Sequence, residues 1–236
     1  MMTVETLNET ELKALGGFDT PTICNALEIV APERRGFGYT VQPMVCPFPE
    51  LPPMVGYART ATARAMRPAA REKEAVKAQR FAYFDYIAEG PAPRIMVIQD
   101  LDAIPGYGAF WGEVQTNVHK ALGCLGAITN GSIRDMDAMA GGFQMLGGMV
   151  GPSHAWTHLE DYGCEVNVCG MTVASGDLIH ADRHGAVIIP HEVARELPQA
   201  AQLLGRREAV ILEVCKAPGF TVEKLKQAIG DAEDIH

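Results

Sequence analysis

Positive charge is scarce in this chain. Its 236 residues carry 20 Lys and Arg against 29 Asp and Glu, for a net charge of −9. That balance argues against a general nucleic-acid or anionic-membrane surface, while leaving room for a local cationic site that holds a small anion. Paired cysteines are missing as well. The six cysteines, at 24, 46, 124, 164, 169 and 215, include no Cys-x-x-Cys, so neither a zinc ribbon nor a thioredoxin-like motif is present. Their apolar surroundings predict buried, reduced thiols. No apolar run approaches the ~20 residues of a membrane span. Residues 1–15 are acidic and lack the basic and apolar regions of a secretory leader, so the expected location is the cytoplasm. No Gly-x-Gly-x-x-Gly follows a strand and no Walker loop occurs, which leaves nucleotide binding unsupported.

What is present is enough apolar material, 47% of the residues, to build a core without disulfides. Helical and strand patterns alternate with no clear linker, so the expectation is one α/β domain over residues 1–236. A helical and irregular arm covers residues 1–56, and a helical tail covers 191–236. Thr20-Pro21-Thr22 fits a helix start. Residues 36–56 are rich in Gly and Pro and read as irregular. Residues 55–65 fit a strand. Residues 68–89 fit a helix with Val76, Tyr83, Phe84 and Ile87 on one face, closed by Gly90-Pro91.

Residues 94–101 form a near-continuous apolar strand of the kind buried on both faces. A loop with Gly106 and Gly108 follows, then a helical pattern over 111–123 and a second buried strand over 125–129. Strand, loop, helix and strand make a βαβ unit with a right-handed parallel crossover. Further on, residues 165–168, 172–174, 178–181 and 186–189 read as short strands split by Gly170, Gly176 and Gly185. Residues 191–215 read as helix, with Pro198 marking a kink or a new first turn.

Two positions carry chemistry. Asn130-Gly131 turns the chain sharply after the second buried strand, Asn-Gly supplying positive φ at low cost. Arg134 and Asp135 follow. Arg134 offers a planar fork to carboxylate or enolate oxygens, and Asp135 a hard oxygen to a divalent cation. The plain alternative makes Asp135 the N-cap of a helix over 136–140 and Arg134 a surface ion-pair partner. Gly112, Glu113, Val114 and Gln115 open the helix after the first parallel strand. Their backbone N–H groups and the helix dipole suit a substrate carboxylate, and Gly112 puts no side chain in the way. Glu113 reads either as an acid bonded to a metal-bound water or as an ordinary first-turn Glu. Carboxyl ends of neighbouring parallel strands share one crevice, which would bring both positions together.

The sequence resembles the RraA-like (regulator of ribonuclease activity A) family, which includes 4-hydroxy-4-methyl-2-oxoglutarate aldolases. The resemblance rests on the apolar strand ending in Gln99-Asp100 and on Phe110-Trp111-Gly112-Glu113. It also rests on the block from Gly123 through Gly126-Ala127-Ile128 and Asn130-Gly131 to Ile133-Arg134-Asp135, and on the stretch from Ser175-Gly176-Asp177-Leu178 to Pro190. It implies a swivelling β/β/α domain, layered α-β-β-α with a C-terminal helical segment, assembled as homotrimer or homohexamer. It implies that Gly112, Glu113, Val114 and Gln115 bind the carboxylate of a small 2-oxo acid and that Arg134 contacts substrate. It also implies that Asp135 ligates Mg²⁺ or Mn²⁺ mostly among waters, with Glu113 beside those waters.

The implied activity is cleavage of a 4-hydroxy-2-oxo di- or tricarboxylic acid, such as 4-hydroxy-4-methyl-2-oxoglutarate or 4-carboxy-4-hydroxy-2-oxoadipate. Oxaloacetate decarboxylation follows from the shared enolate, and Arg134 with Glu113 are the catalytic candidates. An acid from a neighbouring subunit, Glu208 or Glu213, is implied as a further contributor. The sequence departs from the family in the 102–110 loop, in Asn130 where Asp is frequent, and over 141–158. A non-catalytic protein-binding regulator is the alternative, but such members tend to lose the Asp after the Arg. A metal-dependent hydrolase or decarboxylase on the same fold is another.

Other residue patterns weigh less. His154 and His158 have the i, i+4 spacing of a helical zinc pair but lack the Glu of His-Glu-x-x-His. His180 is expected to alternate outward and His184 to serve a turn. Asp177 and Asp182 read as turn formers, and Lys120 has no evident role.

Overall fold

The computed structural model describes residues 6–236; residues 1–5 of the expected N-terminal arm lie outside the described residues. The arm holds α1 (Glu9–Leu15) and α2 (Thr20–Val30), each opened by a polar cap: Asn8 in a capping box with Glu11, and Asp19 accepting from the Thr22 N–H. Then come β1 (Met54–Arg64), α3 (Lys73–Ala88), β2 (Arg94–Asp100), α4 (Glu113–Ala121) and β3 (Cys124–Thr129). Short strands follow: β4 (Ser132–Ile133), β5 (Gln144–Leu146), β6 (Met149–Val150), β7 (His158–Tyr162), β8 (Val166–Val168) and β9 (Met171–Val173). The chain closes with β10 (Leu178–Asp182), β11 (Gly185–Ile189), α5 (Leu197–Lys216) and α6 (Val222–Glu233).

The main sheet has seven strands in the order β11-β10-β1-β2-β3-β5, with β7 also on β1. Strands β1, β2, β3 and β5 run parallel, and the βαβ unit β2-α4-β3 is the expected one. The long strand β1 divides one edge between two antiparallel partners. Met54 to Tyr57 pair with β10, and Ala61 to Arg64 pair with β7.

Side-chain alternation builds the layers. Val55, Tyr57, Ala61 and Ala63 of β1, with Met96 and Ile98 of β2, face the helices. Met54, Ala58, Ile95 and Val97 face the other way, onto the β8–β9 hairpin. The result is a β/β/α layering, the helices on one face of the sheet and a small β layer on the other. The C-terminal helices α5 and α6 extend it, with α5 packed on α2 and on α6. No helix among the described residues is long and apolar enough to cross a membrane.

Three boundaries differ from expectation. Helix α3 starts at Lys73, not at residue 68, because Arg71 is tied to β7, donating to Leu159 O at 2.5 Å and Glu160 O at 3.4 Å. Residues 191–196 are turns, and α5 begins at Leu197 with Pro198 in its first turn, where a missing N–H costs nothing. The helix expected over 136–140 is a single 3₁₀ turn, Met136–Ala138.

Candidate active site at the ends of the parallel strands

Strands β2 and β3 end side by side, and the chain leaving each is stitched to the other. Trp111 bridges Ile133 in parallel fashion, and the Arg134 N–H donates to Trp111 O at 3.0 Å. This places Gly112, the residue preceding α4, directly against Arg134 and Asp135. A Cβ built on Gly112 would lie 2.5 Å from Asp135 Oδ2 and 3.2 Å from Arg134 Cγ. Glycine is required here for that approach; the backbone itself (φ −167°) is ordinary extended chain. The Glu113 N–H points at Asp135 Oδ2 (3.4 Å), and Arg134 Nε lies 3.5 Å from the same oxygen.

Gly112, Glu113, Val114, Gln115, Arg134 and Asp135 all line one open cleft of about 370 Å³. The two sequence-separated positions therefore form one site. Asp135 stands at the N-cap position of the 3₁₀ turn but does not cap it with its side chain, and its backbone is left-handed (φ 53°, ψ 38°). A non-glycine residue held there is uncommon and is tolerated best by Asp and Asn. Positive φ was expected at Asn130-Gly131 and is found at Asp135 instead. Gly131 serves close packing, since a Cβ there would lie 3.2 Å from Thr129 Oγ1 and 3.3 Å from Asp100 Cβ.

Asn130 has a different task. Its amide clamps the end of β2, accepting from Asp100 N at 2.7 Å and donating to Asp100 O at 3.1 Å. Asp100 then organises the following loop through bonds from Asp102 N (2.9 Å) and Gly106 N (2.7 Å). Burial pushes the Asp100 carboxyl up, against the pull of those two N–H donors. Thr116 fixes the first turn of α4, donating to Gly112 O at 2.9 Å and accepting from Ala140 N at 3.0 Å.

Sequence reasoning missed the rest of the setting. Phe110, His154 and Thr157 also line the cleft. The last two lie in the 141–158 stretch that departs from the family pattern, and that departure was the available signal. A buried chain supports the floor: Tyr83 Oη lies 2.8 Å from His119 Nε2, and His119 Nδ1 lies 2.7 Å from Gln115 O. Both rings are fully buried. Burial lowers the His119 pKa to about 4 and raises that of Tyr83 well above its usual value, so both are neutral and the tyrosine donates.

Several expectations are corrected. His154 and His158 do not share a helix; residue 154 is in irregular chain and His158 begins β7, so the zinc spacing is not realised. His180 is buried rather than outward, because β10 is covered on both faces. It bonds Thr20 Oγ1 at 3.0 Å and Phe18 O at 3.1 Å, and burial lowers its pKa. Asp182 and Asp177 do form turns, accepting from His184 N and Ala174 N at 2.8 Å each. Lys120 reaches across to Gly141 O. Glu208 and Glu213 are exposed on α5 and do not line the cleft of their own chain.

Among the described residues, no three His, Cys, Asp or Glu side chains are grouped to hold a metal by themselves. The cleft offers the Asp135 carboxylate with Glu113 beside it on the rim. That donor set fits a hard cation such as Mg²⁺, which keeps most of its waters and takes one or two carboxylates.

Fold and cleft together define a mixed α/β domain with a cationic side chain, a helix N-terminus and a carboxylate gathered at its parallel strand ends. Residues 20–188 match the family model described as RraA-like, Aldolase/RraA, and the chain belongs to that family. The family holds aldolase-type enzymes and RNase-inhibitor-type proteins alike. Protein DlpA of Legionella pneumophila is 24% identical over 151 residues, which are 61% of this chain and 23% of that protein. The chain thus spans about a quarter of that relative's length.

Among solved structures, an uncharacterized protein from Pseudomonas syringae pv. tomato superposes with a TM-score of 0.71 at 21% identity, covering 96% of this chain and 97% of that one. RraAS2 of Streptomyces coelicolor, described as an unusual member of the RNase ES inhibitor RraA family, gives 0.66 at 20% identity over 87% of this chain and 96% of that one. Likeness at these identities is one of fold.

Proposed function

We propose that this protein is a divalent-metal-dependent lyase of the class II aldolase type. Its substrate in this reading is a 4-hydroxy-2-oxo di- or tricarboxylic acid, such as 4-hydroxy-4-methyl-2-oxoglutarate or 4-carboxy-4-hydroxy-2-oxoadipate. The observation that supports it best is the fit of Asp135, in a left-handed turn, against Gly112 at the mouth of the cleft. A purely protein-binding regulator has no use for a carboxylate placed so closely against a helix N-terminus and an arginine.

The geometry is compatible with these roles. Backbone N–H groups of the first turn of α4, over Gly112 to Gln115, hold the substrate carboxylate. Arg134 stabilises negative charge as it develops on the 2-oxo oxygen. Glu113, on the rim, orients water for proton delivery. Asp135 would hold Mg²⁺ or Mn²⁺, and the ion when bound supplies Lewis-acid polarisation of the 2-oxo group. The C4 hydroxyl proton passes to the water that Glu113 orients, the C4 fragment departs as a carbonyl acid, and the C3–C4 electron pair stays in pyruvate enolate, which that water reprotonates. Loss of CO₂ from oxaloacetate leaves the same enolate, so one site serves both reactions. Homotrimer or homohexamer assembly would let Glu208 or Glu213 of a neighbouring copy add an acid to the cleft.

The test follows pyruvate release from oxaloacetate and from 4-hydroxy-4-methyl-2-oxoglutarate with Mg²⁺ and then with excess chelator. Chelator-sensitive release from both is expected. Release from oxaloacetate alone moves the aldol substrate elsewhere, and no release under any condition overturns the lyase reading in favour of a regulator. Asp135→Ala is expected to lose at least about 100-fold in Mg²⁺-dependent kcat/KM, the scale of a lost charge-stabilising group. Full retention removes Asp135 as the ligand.

A further inference from the structure

A second, smaller pocket of about 120 Å³ lies between α3 and β7, walled by Val76, Tyr83, Phe84 and Leu159. It meets the cleft along Phe110, Gln115 and Thr157, which line both spaces. We infer that this pocket receives a hydrocarbon branch carried on C4 of the substrate, larger than a methyl group. The inference rests on the lyase reading above and specifies the substrate further.

The wall argues for hydrocarbon because it is mostly apolar and the polar atoms of Tyr83, Gln79 and His158 are already engaged. Tyr83 Oη is bonded to His119 at 2.8 Å. The Gln79 amide donates to Glu160 O at 2.8 Å and accepts from Arg71 at 2.7 Å. His158 bonds Trp156 O at 2.7 Å and Glu160 Oε1 at 3.0 Å. No Asp or Glu lines the pocket, and its one cation, Arg80, is on an exposed position of α3. A carboxylate entering here would shed its water against Val76, Phe84 and Leu159, whereas an alkyl group loses nothing. The space holds a branch of roughly four to six carbons, since a cavity of about 150 Å³ accepts benzene. At the seam, Gln115 Oε1 is buried with no protein partner. A hydroxyl at the branch point is the kind of donor it lacks.

The test is equilibrium binding, read by calorimetry in the presence of Mg²⁺, of three unreactive 2-oxo acids. 2-Oxobutanoate has no branch, 2-oxoglutarate has a carboxylate on C4, and 2-oxo-4-phenylbutanoate has an apolar branch of six carbons there. The branched acid is expected to bind at least tenfold tighter than either of the others. Val76→Trp, with Val76→Phe as a milder filler, is expected to erase that preference while leaving 2-oxobutanoate affinity within twofold. If 2-oxobutanoate and 2-oxoglutarate bind and the branched acid is no tighter, the pocket assignment is overturned and the lyase reading stands. If the fillers weaken all three acids equally, the branch lies elsewhere and the assignment is overturned. If none of the three binds, the cleft is no 2-oxo-acid site and both readings fall.

Discussion

Gly112→Ala adds one carbon atom, and the structure shows where it lands: 2.5 Å from Asp135 Oδ2 and 3.2 Å from Arg134 Cγ. The backbone at 112 is extended and open to alanine, so no conformational penalty arises there. What must move is the carboxylate, by about 0.5–1 Å, to reach ordinary contact with the new methyl group. Side chains 135 and 134 are 39% and 34% exposed, so they can swing outward without disturbing packing. The stability loss should therefore stay under about 1 kcal/mol. Chemistry is far less tolerant, since a misplacement of about 1 Å in a positioned group costs roughly 100-fold.

The assay pairs oxaloacetate decarboxylation over a Mg²⁺ titration with urea unfolding. Expected are a roughly 100-fold drop in kcat/KM, a raised Mg²⁺ requirement and a nearly unchanged urea midpoint. A Gly112→Ala variant with the parent's rate and Mg²⁺ dependence would falsify the claim that the Gly112–Asp135 contact sets the site. A variant whose main defect is unfolding would refute the argument that the side chains yield freely.

Other perturbations reach the supports. Tyr83→Phe leaves His119 Nε2 buried without its donor and should cost about 1–3 kcal/mol in a urea melt; no loss would mean that the 2.8 Å contact is not a working bond. Acidification should destabilise the fold. His119 is held at a pKa of about 4 and His180 is also lowered, both by burial, so each is neutral when folded and gains a proton on unfolding. Stability is full above the unfolded value near 6.5 and falls as pH drops from there, for His119 down to about 4 at up to about 1.4 kcal/mol per pH unit, with His180 acting in the same direction. Urea midpoints equal at pH 7.5 and 5.5 would contradict this. Gly148→Ala would place a Cβ 2.3 Å from the Asn130 carbonyl oxygen, an immobile backbone atom, and should destabilise by at least about 2 kcal/mol; a soluble variant with the parent's melting temperature would show that the loop yields.

The parallel core was legible in the sequence because its signals are local. The apolar run over residues 94–101 and the helical pattern before Gly123 each sit within one window, and both strand ends followed from them. The convergence of Gly112–Gln115 with Arg134 and Asp135 followed in turn. The turn chemistry around Asp135 was not legible, because a carboxylate one residue before Met136 reads as a cap, and no local pattern marks the left-handed backbone that follows the Trp111–Ile133 bridge. Strands β5 and β6 have three and two residues, too few for a period to show. His180 misled because alternation assumes one wet face, whereas β10 has none. The side pocket draws its walls from α3 and β7, distant in sequence, and no local pattern announces a cavity made by two such elements.

The left-handed backbone of Asp135 has a consequence for how such a site can be lost. Asparagine and glycine tolerate that conformation as well as aspartate does, or better. Each is also one nucleotide change away from an aspartate codon. A lineage could therefore discard the carboxylate here and keep the turn, the loop stitching and the surrounding layers. Fold and chemistry are uncoupled at this one residue, which gives a mutational route from catalyst to inert scaffold without a structural gap to cross.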